Sequence, residues 1–229
     1  MPDTPAFRYL SLFSGIEAAT LAWHPLGWEP AAFAEVDPFA CSVLQQRFPQ
    51  VPNLGDVRKI TQNRLAELGN VDLVVGGSPC QDFSVAGKGA GLEGKSGVLF
   101  FESVRIFHAA RSSCGTRFLL WENVCGALSR HQGRDFAVVV GKMAGIDAVE
   151  VPHHGWGSSG VALGEHGLLQ WRVLDAQYFG VPQRRRRVFA LLDTGDWINT
   201  PPVLFEPEGL RGHLASCAAQ GETATQGTL

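Results

Sequence analysis
Short apolar runs alternate along this chain with stretches of helical composition. The first run, Tyr9-Leu10-Ser11-Leu12-Phe13, reads as a buried strand. After Ser14-Gly15 the residues Ile16-Glu17-Ala18-Ala19-Thr20-Leu21-Ala22 favour helix, which predicts a helix starting near Gly15 or Ile16. A second strand is expected over Ala31–Val36. It ends in Asp37-Pro38, an N-cap with proline at the first helical position, so helix follows from Phe39 until Pro49. Further strands are predicted at Val71–Val75, Phe118–Trp121, Leu169–Leu174 and Val188–Leu192, with helices around Leu99–Ala110 and Phe136–Ala144. Strand alternating with helix predicts an α/β, Rossmann-like, doubly wound and mostly parallel sheet. Val151–His166 reads as a glycine-rich loop.

Composition narrows this picture. The 229 residues suffice for one sizeable core. The pattern places a catalytic domain over residues 1–195 and a linker or disordered tail over 196–229, where large apolar residues become sparse. A net charge of −3 excludes a wholly basic nucleic-acid coat but leaves room for a local basic face, Arg184-Arg185-Arg186-Arg187. The strand character of Val188-Phe189-Ala190-Leu191 behind this run implies that at least two of its arginines point inward. No apolar run reaches the length of a membrane span. Five cysteines without zinc spacing or a signal peptide predict reduced thiols, no metal, and a soluble cytoplasmic protein. His153 and His154 are adjacent, and in an extended chain such neighbours diverge.

Two groups of residues carry candidate chemistry. In the first, the strand–glycine–helix start at Phe13-Ser14-Gly15 and the acidic Glu35 ending the next strand form the layout of a ribose-bearing ligand site. Glu17 and Ala18 stand where a dinucleotide fingerprint needs glycine, which argues against a pyrophosphate cradle and a nicotinamide cofactor. Asp56, in Gly55-Asp56-Val57, is placed to accept from an adenine amine; each of these residues also reads as an ordinary turn or cap. In the second group, Gly76-Gly77-Ser78-Pro79-Cys80-Gln81 puts a cysteine on a stiff turn at the mouth of a strand, where a nucleophile is held in one orientation. The alternative is a small core hydrophobe. Trp121-Glu122-Asn123-Val124 closes a strand with a carboxylate, and Gln183-Arg184-Arg185-Arg186-Arg187 precedes the last strand.

In series, Phe13-Ser14-Gly15-Ile16-Glu17, Glu35, Gly55-Asp56, Ser78-Pro79-Cys80-Gln81, Glu122-Asn123-Val124 and Gln183-x-Arg185-x-Arg187 resemble the DNA cytosine-5 methyltransferase family over about residues 9–192. The resemblance implies methyl transfer from S-adenosyl-L-methionine to cytosine C5 in double-stranded DNA after base flipping, in a DNA-methylation or restriction–modification setting. It implies Cys80 as the nucleophile that adds to C6. It implies Glu122 at the N3 and 4-amino edge, sharing a proton at N3, and Arg187 at O2 where negative charge builds up. Arg185 is implied at the same site or as a residue ordering the catalytic loop. Phe13, Gly15, Ile16, Glu17, Glu35, Val36, Asp56, Val57 and Pro79 are implied in the cofactor site, and Gln81, Ser84 and Gln183 on DNA. The glycine-rich segment from Gln81 to Leu99 is implied to close over the site.

The family's late motifs and recognition region have no counterpart here. The expectation is therefore a catalytic domain that is a fragment, one half of a split enzyme needing a second chain, or an inactive remnant that binds the cofactor. A tRNA-modifying relative is disfavoured because no Cys-Phe-Thr block is present.

Overall fold
The computed structural model describes residues 6–78, 98–196 and 203–205. Pro79, Cys80, Gln81 and Ser84 lie outside the described residues, as do most of the segment after them and the tail. Compactness divides the chain into two units, one built from residues 1–78 and 98–120 and the other from 79–97 and 121–229.

The first unit contains β1 (Arg8–Leu12), α1 (Ala18–Trp23), β2 (Glu29–Ala34), α2 (Pro38–Arg47), α3 (Gln62–Ala66), β3 (Leu73–Gly76) and α4 (Val98–Cys114). It also contains the start of β4 (Phe118–Val124). β1 runs parallel to both β2 and β3. Four of its five residues are buried, as expected of a parallel strand covered on both faces. Its register against β2 slips between Tyr9 and Leu10, opposite Pro30. Proline has no N–H for the ladder, and a bulge in an edge strand accommodates it. Asp37 accepts from Ala40 N at 2.9 Å and Pro38 opens α2, as the Asp-Pro pair predicts. Tyr9, Leu10, Phe33, Leu65, Ile106 and Phe107 are fully buried. Each such side chain contributes about 1.5–3 kcal/mol.

The second unit holds the end of β4, α5 (Arg134–Ala144), β5 (Ser159–Gly164), β6 (Gly167–Asp175) and β7 (Arg186–Asp193). β5, β6 and β7 are joined antiparallel. The strand order is β2-β1-β3-β4-β7-β6-β5, so the sheet is mixed, parallel in the first unit and antiparallel at its far end. Phe136, at the centre of this unit, packs edge-on to Trp156 and Trp171 at 5.1 and 5.5 Å between ring centroids. Both indoles donate to backbone carbonyls, Trp156 to Gly133 and Trp171 to Gly157, which satisfies their polar ends.

Two expectations fail here. Val151–His166 is not loop throughout, because β5 occupies its second half and pairs with β6 through a Glu165-His166 turn. Glycine hides the strand for a packing reason. Gly160 is the cross-strand partner of Trp171, and a Cβ there would lie 2.2 Å from the indole. The rings of His153 and His154 also do not diverge; they stack with centroids 5.8 Å apart. Among the described residues no group of three His, Cys, Asp or Glu side chains is placed to hold a metal, and no helix is long and apolar enough to cross a membrane.

Candidate active site
In the first unit, β1 runs into a turn whose backbone is left-handed at Phe13 (φ 53°), Gly15 (φ 55°) and Glu17 (φ 68°). Glycine tolerates this conformation; for a bulky residue it costs on the order of 1–3 kcal/mol. The strain is held by bonds to the end of β2. Phe13 N donates to Ala34 O at 2.8 Å, and Ala34 N donates to Ser14 Oγ at 3.2 Å. Glu35 completes the joint. Its carboxylate accepts from Gly15 N at 2.7 Å and from Val36 N and Asp37 N, both at 2.8 Å. A side chain one residue past β2 thereby fixes the glycine turn past β1.

Ile16 and Val36 stand exposed beside this carboxylate, offering apolar surface at the same turn ends. Glu17 is buried (1% exposed). Its Oε1 accepts from Thr20 N at 3.0 Å to cap α1 and from Thr20 Oγ1 at 3.3 Å, and Tyr9 OH meets Thr20 Oγ1 at 2.6 Å. Burial raises the Glu17 carboxyl above its ordinary range, the bonds from Ser11 and Thr20 opposing it; burial also pushes the Tyr9 hydroxyl up to about 12. Val57 is likewise buried. The side chains of Glu17 and Val57 thus belong to the core, and only their backbones remain for a ligand.

Asp56 caps a short 3-10 turn through Arg58 N at 3.0 Å. Its oxygens also take the Arg58 guanidinium, with Nη2 at 2.6 Å and Nε at 2.9 Å. These bonds hold its carboxyl down at about 2. Arg105 on α4 anchors the turn by donating to Val57 O and Ile60 O. Arg58 was not foreseen from the sequence; an arginine two residues after an aspartate at a turn was its available signal.

In the second unit, Glu122 sits inside β4 rather than at its end. Burial alternates along this strand, so Glu122 shares the half-open face with Leu120 and Val124 while Trp121 and Asn123 point inward. Its Oε1 lies 3.1 Å from Arg187 Nε and 4.0 Å from Arg185 Nη2. The inward turn expected of at least two arginines holds for Arg187 alone, whose side chain is 23% exposed against 51% for Arg185. Arg184 and Arg186 are exposed, as is Gln183. Period-2 geometry turns Arg186 away from Arg187, whereas Arg185, two residues before Arg187, lies ahead of β7 and reaches Glu122 only at the longer distance. Sequence reasoning missed Asp175. It accepts from Arg185 N at 3.0 Å and from Gln177 N and Nε2, and thereby pins the chain entering β7. Burial works against its ionisation, but these backbone and side-chain donors and the charge of Arg184 outweigh that and lower its carboxyl below the usual range.

Residues 7–200 match the family described as C-5 cytosine-specific DNA methylase. The chain belongs to that family. It is also 39% identical over 245 residues to a protein of Escherichia phage P1 named DNA N-6-adenine-methyltransferase, covering 95% of this chain and 32% of that protein. With Type II methyltransferase M.AquIA of Picosynechococcus sp. it shares 32% identity over 188 residues, covering 80% of this chain and 70% of the relative. With M.NgoBV of Neisseria gonorrhoeae the figures are 30% over 205 residues, 87% and 43%. Among solved structures, a DNMT2 mutant of Spodoptera frugiperda aligns with a TM-score of 0.60 at 20% identity over 88% of this chain and 54% of that one. Dnmt2 of S. pombe aligns with 0.56 at 15% identity, covering 82% and 49%. At those identities the likeness is one of fold: a Rossmann-like methyltransferase sheet. The chain thus spans a third of the phage P1 methylase and about half of these two structures.

Proposed function
We propose that this methylase-family chain transfers a methyl group from S-adenosyl-L-methionine to C5 of a cytosine in double-stranded DNA, with Cys80 as the covalent nucleophile. The observation that carries the reading is the Glu122–Arg187 pair. Cytosine presents O2, N3 and the 4-amino group along one edge. A carboxylate and a guanidinium 3.1 Å apart suit neighbouring positions on such an edge. Arg187 donates to O2, and Glu122 accepts from the amino group and shares a proton with N3. Only a base turned out of the stack offers that edge and both ring faces together.

The turn at Phe13–Glu17 fits the cofactor. It offers apolar Ile16, with Val36 beside it, and the Glu35 carboxylate for ribose hydroxyls; the buried Glu17 caps α1 where a phosphate would otherwise dock. S-adenosyl-L-methionine supplies an electrophilic methyl group. The Cys80 thiolate gives its electron pair to C6, and the C5=C6 pair moves onto C5, which takes the methyl while the pair of the broken methyl–sulfur bond stays on the donor, leaving S-adenosylhomocysteine. Loss of the C5 proton then restores the double bond and returns the pair to sulfur, expelling the thiolate. In this reading Pro79 belongs to the cofactor site, and Gln81, Ser84 and Gln183 contact the DNA.

The name of the phage P1 relative, DNA N-6-adenine-methyltransferase, gives a second reading, adenine N6. An exocyclic amine attacks a methyl donor directly and has no use for a thiol at a ring carbon, so Cys80 separates the two. The test is capture on duplex DNA carrying 5-fluorocytosine, with product analysis on ordinary DNA. We expect 5-methylcytosine, a trapped adduct with the parent chain, and none with Cys80→Ser. N6-methyladenine as the product would sink the proposal, as would methylation of cytosine by Cys80→Ser at the parent rate.

A further inference from the structure
We infer that Asn53 is the positioning residue of the cofactor site, setting Glu35 and the Gly55-Asp56 segment in register through its side-chain amide; this rests on the reading of the Glu35 turn as the S-adenosyl-L-methionine pocket.

β2 stands at the end of the strand order, and its last residue is Ala34. Just before that end the segment around Asn53 joins its free side by backbone pairing. Phe33 N donates to Pro52 O at 2.9 Å, and Leu54 N donates to Phe33 O at 2.7 Å. Beyond Ala34 the backbone of Glu35 has left the ladder, and the Asn53 side chain takes the ladder's place. Glu35 N donates to Asn53 Oδ1 at 3.0 Å, and Asn53 Nδ2 donates to Glu35 O at 3.1 Å. A side-chain amide has the donor and acceptor of a peptide group, so it pairs with Glu35 as one more strand residue does.

The same Oδ1 accepts from Gly55 N at 3.0 Å, tying in the segment that leads to Asp56. Cys41 on α2 closes the cluster. Its thiol donates to Glu35 O and accepts from Asn53 Nδ2, both at 3.3 Å. Cys41 therefore has a structural role here. Glu35 in turn passes the order on, because its carboxylate holds Gly15 N. One amide links the ribose-side carboxylate, the adenine-side segment and, through Glu35, the glycine turn.

Only asparagine meets these demands at this reach. Aspartate keeps the acceptor but sets an oxygen against Glu35 O, glutamine moves the amide outward by a methylene, and alanine removes it. Asn53 is exposed, so its loss opens no cavity, and the effect falls on the geometry of Glu35 rather than on the core.

The experiment measures S-adenosylhomocysteine binding by calorimetry, and KM for S-adenosyl-L-methionine against kcat, for the full chain carrying Asn53→Ala, Asn53→Asp, Glu35→Ala and Glu35→Ala/Asn53→Ala. We expect both Asn53 variants to weaken binding about tenfold, corresponding to about 1.4 kcal/mol. KM should rise in step while kcat stays within about twofold and the melting temperature within a few degrees. In the Glu35→Ala background the added loss should shrink to about threefold or less, as for residues acting through one group. Asn53→Asp keeps the test open if Asn53→Ala folds poorly. Binding within twofold of the parent in a folded Asn53 variant, while Glu35→Ala binds weakly, overturns the inference; so does a tenfold loss that persists in full without the Glu35 carboxylate. If Glu35→Ala itself binds as the parent does, the pocket reading fails first.

Discussion

Each unit of the molecule holds a carboxylate at a strand that the family resemblance singled out, and the two are held by opposite means. Glu35 is fixed by main chain: Gly15 N, Val36 N and Asp37 N surround its oxygens. Glu122 is faced by side chains, Arg187 at 3.1 Å and Arg185 at 4.0 Å. Backbone donors do not swing away, so the first arrangement suits the cofactor-binding role proposed for Glu35, which needs one fixed shape. Guanidinium groups on flexible stems can trade one oxygen for another, which suits a group that must give up a partner when a base arrives. Rigidity at one carboxylate and exchangeability at the other follow from who donates the hydrogen bonds.

The sharpest way to break this contrast is to alter the exchangeable partner. Arg187→Lys keeps the charge but loses the Nε–H that meets Glu122. Turnover should fall about 10²–10³-fold, the scale for removing a donor to developing negative charge, with S-adenosylhomocysteine affinity unchanged. Arg185→Lys, at the longer distance, should cost less than about tenfold. Equal losses would mean that the 3.1 and 4.0 Å separations carry no functional difference. A smaller effect is expected at the rigid carboxylate. Glu35→Gln retains one acceptor for the three N–H groups but presents an NH2 to some of them. Calorimetry should show S-adenosylhomocysteine binding weakened by roughly 1–3 kcal/mol, with a lower melting temperature. A variant that loses turnover yet binds and melts as the parent does would reverse the roles assigned to the two carboxylates.

The smallest effect concerns Asp175, which orders the chain between β6 and β7 ahead of Arg187. Its carboxyl lies below its ordinary value in the folded protein. Its contribution to stability is therefore present above the unfolded value, near pH 4, and is lost as pH falls through the lower native value. Asp175→Asn should lower the melting temperature by a few degrees at pH 7, and the gap to the parent should narrow as the pH drops below about 4. A gap that widens on acidification would contradict the sign. Residual turnover of this variant also reports how far Arg187 depends on the entry to β7.

Much of the first unit was legible because its signals are local. An apolar run reads as β1, and Asp37-Pro38 announces α2 through capping chemistry that needs no tertiary partner. The carboxylates at 35 and 122 were legible as a series of motifs, not as a geometry. What stayed hidden depends on partners distant in sequence. Asn53 reads as an ordinary loop asparagine until Glu35 is beside it. β5 is hidden because its large apolar residues face outward and Gly160 yields its side-chain volume to Trp171, eleven residues on. The four arginines look equivalent in sequence, and the start of β7 at Arg186 together with its pleat distinguishes them.

That concession of volume at Gly160 has a bearing on folding. β5 ends the strand order and leaves Val161 and Leu163 exposed on one side. Such a strand has little to fix its alignment, and a slip by one residue reverses every side chain. The indole of Trp171 fills the site at Gly160, one of two glycines along β5, so displacement in either direction drives Ser159 or Val161 beneath the ring. Gly160 therefore works as a keyway: it admits the hairpin in a single alignment and makes misregistered pairings, including those with another molecule's strand, collide before they can close.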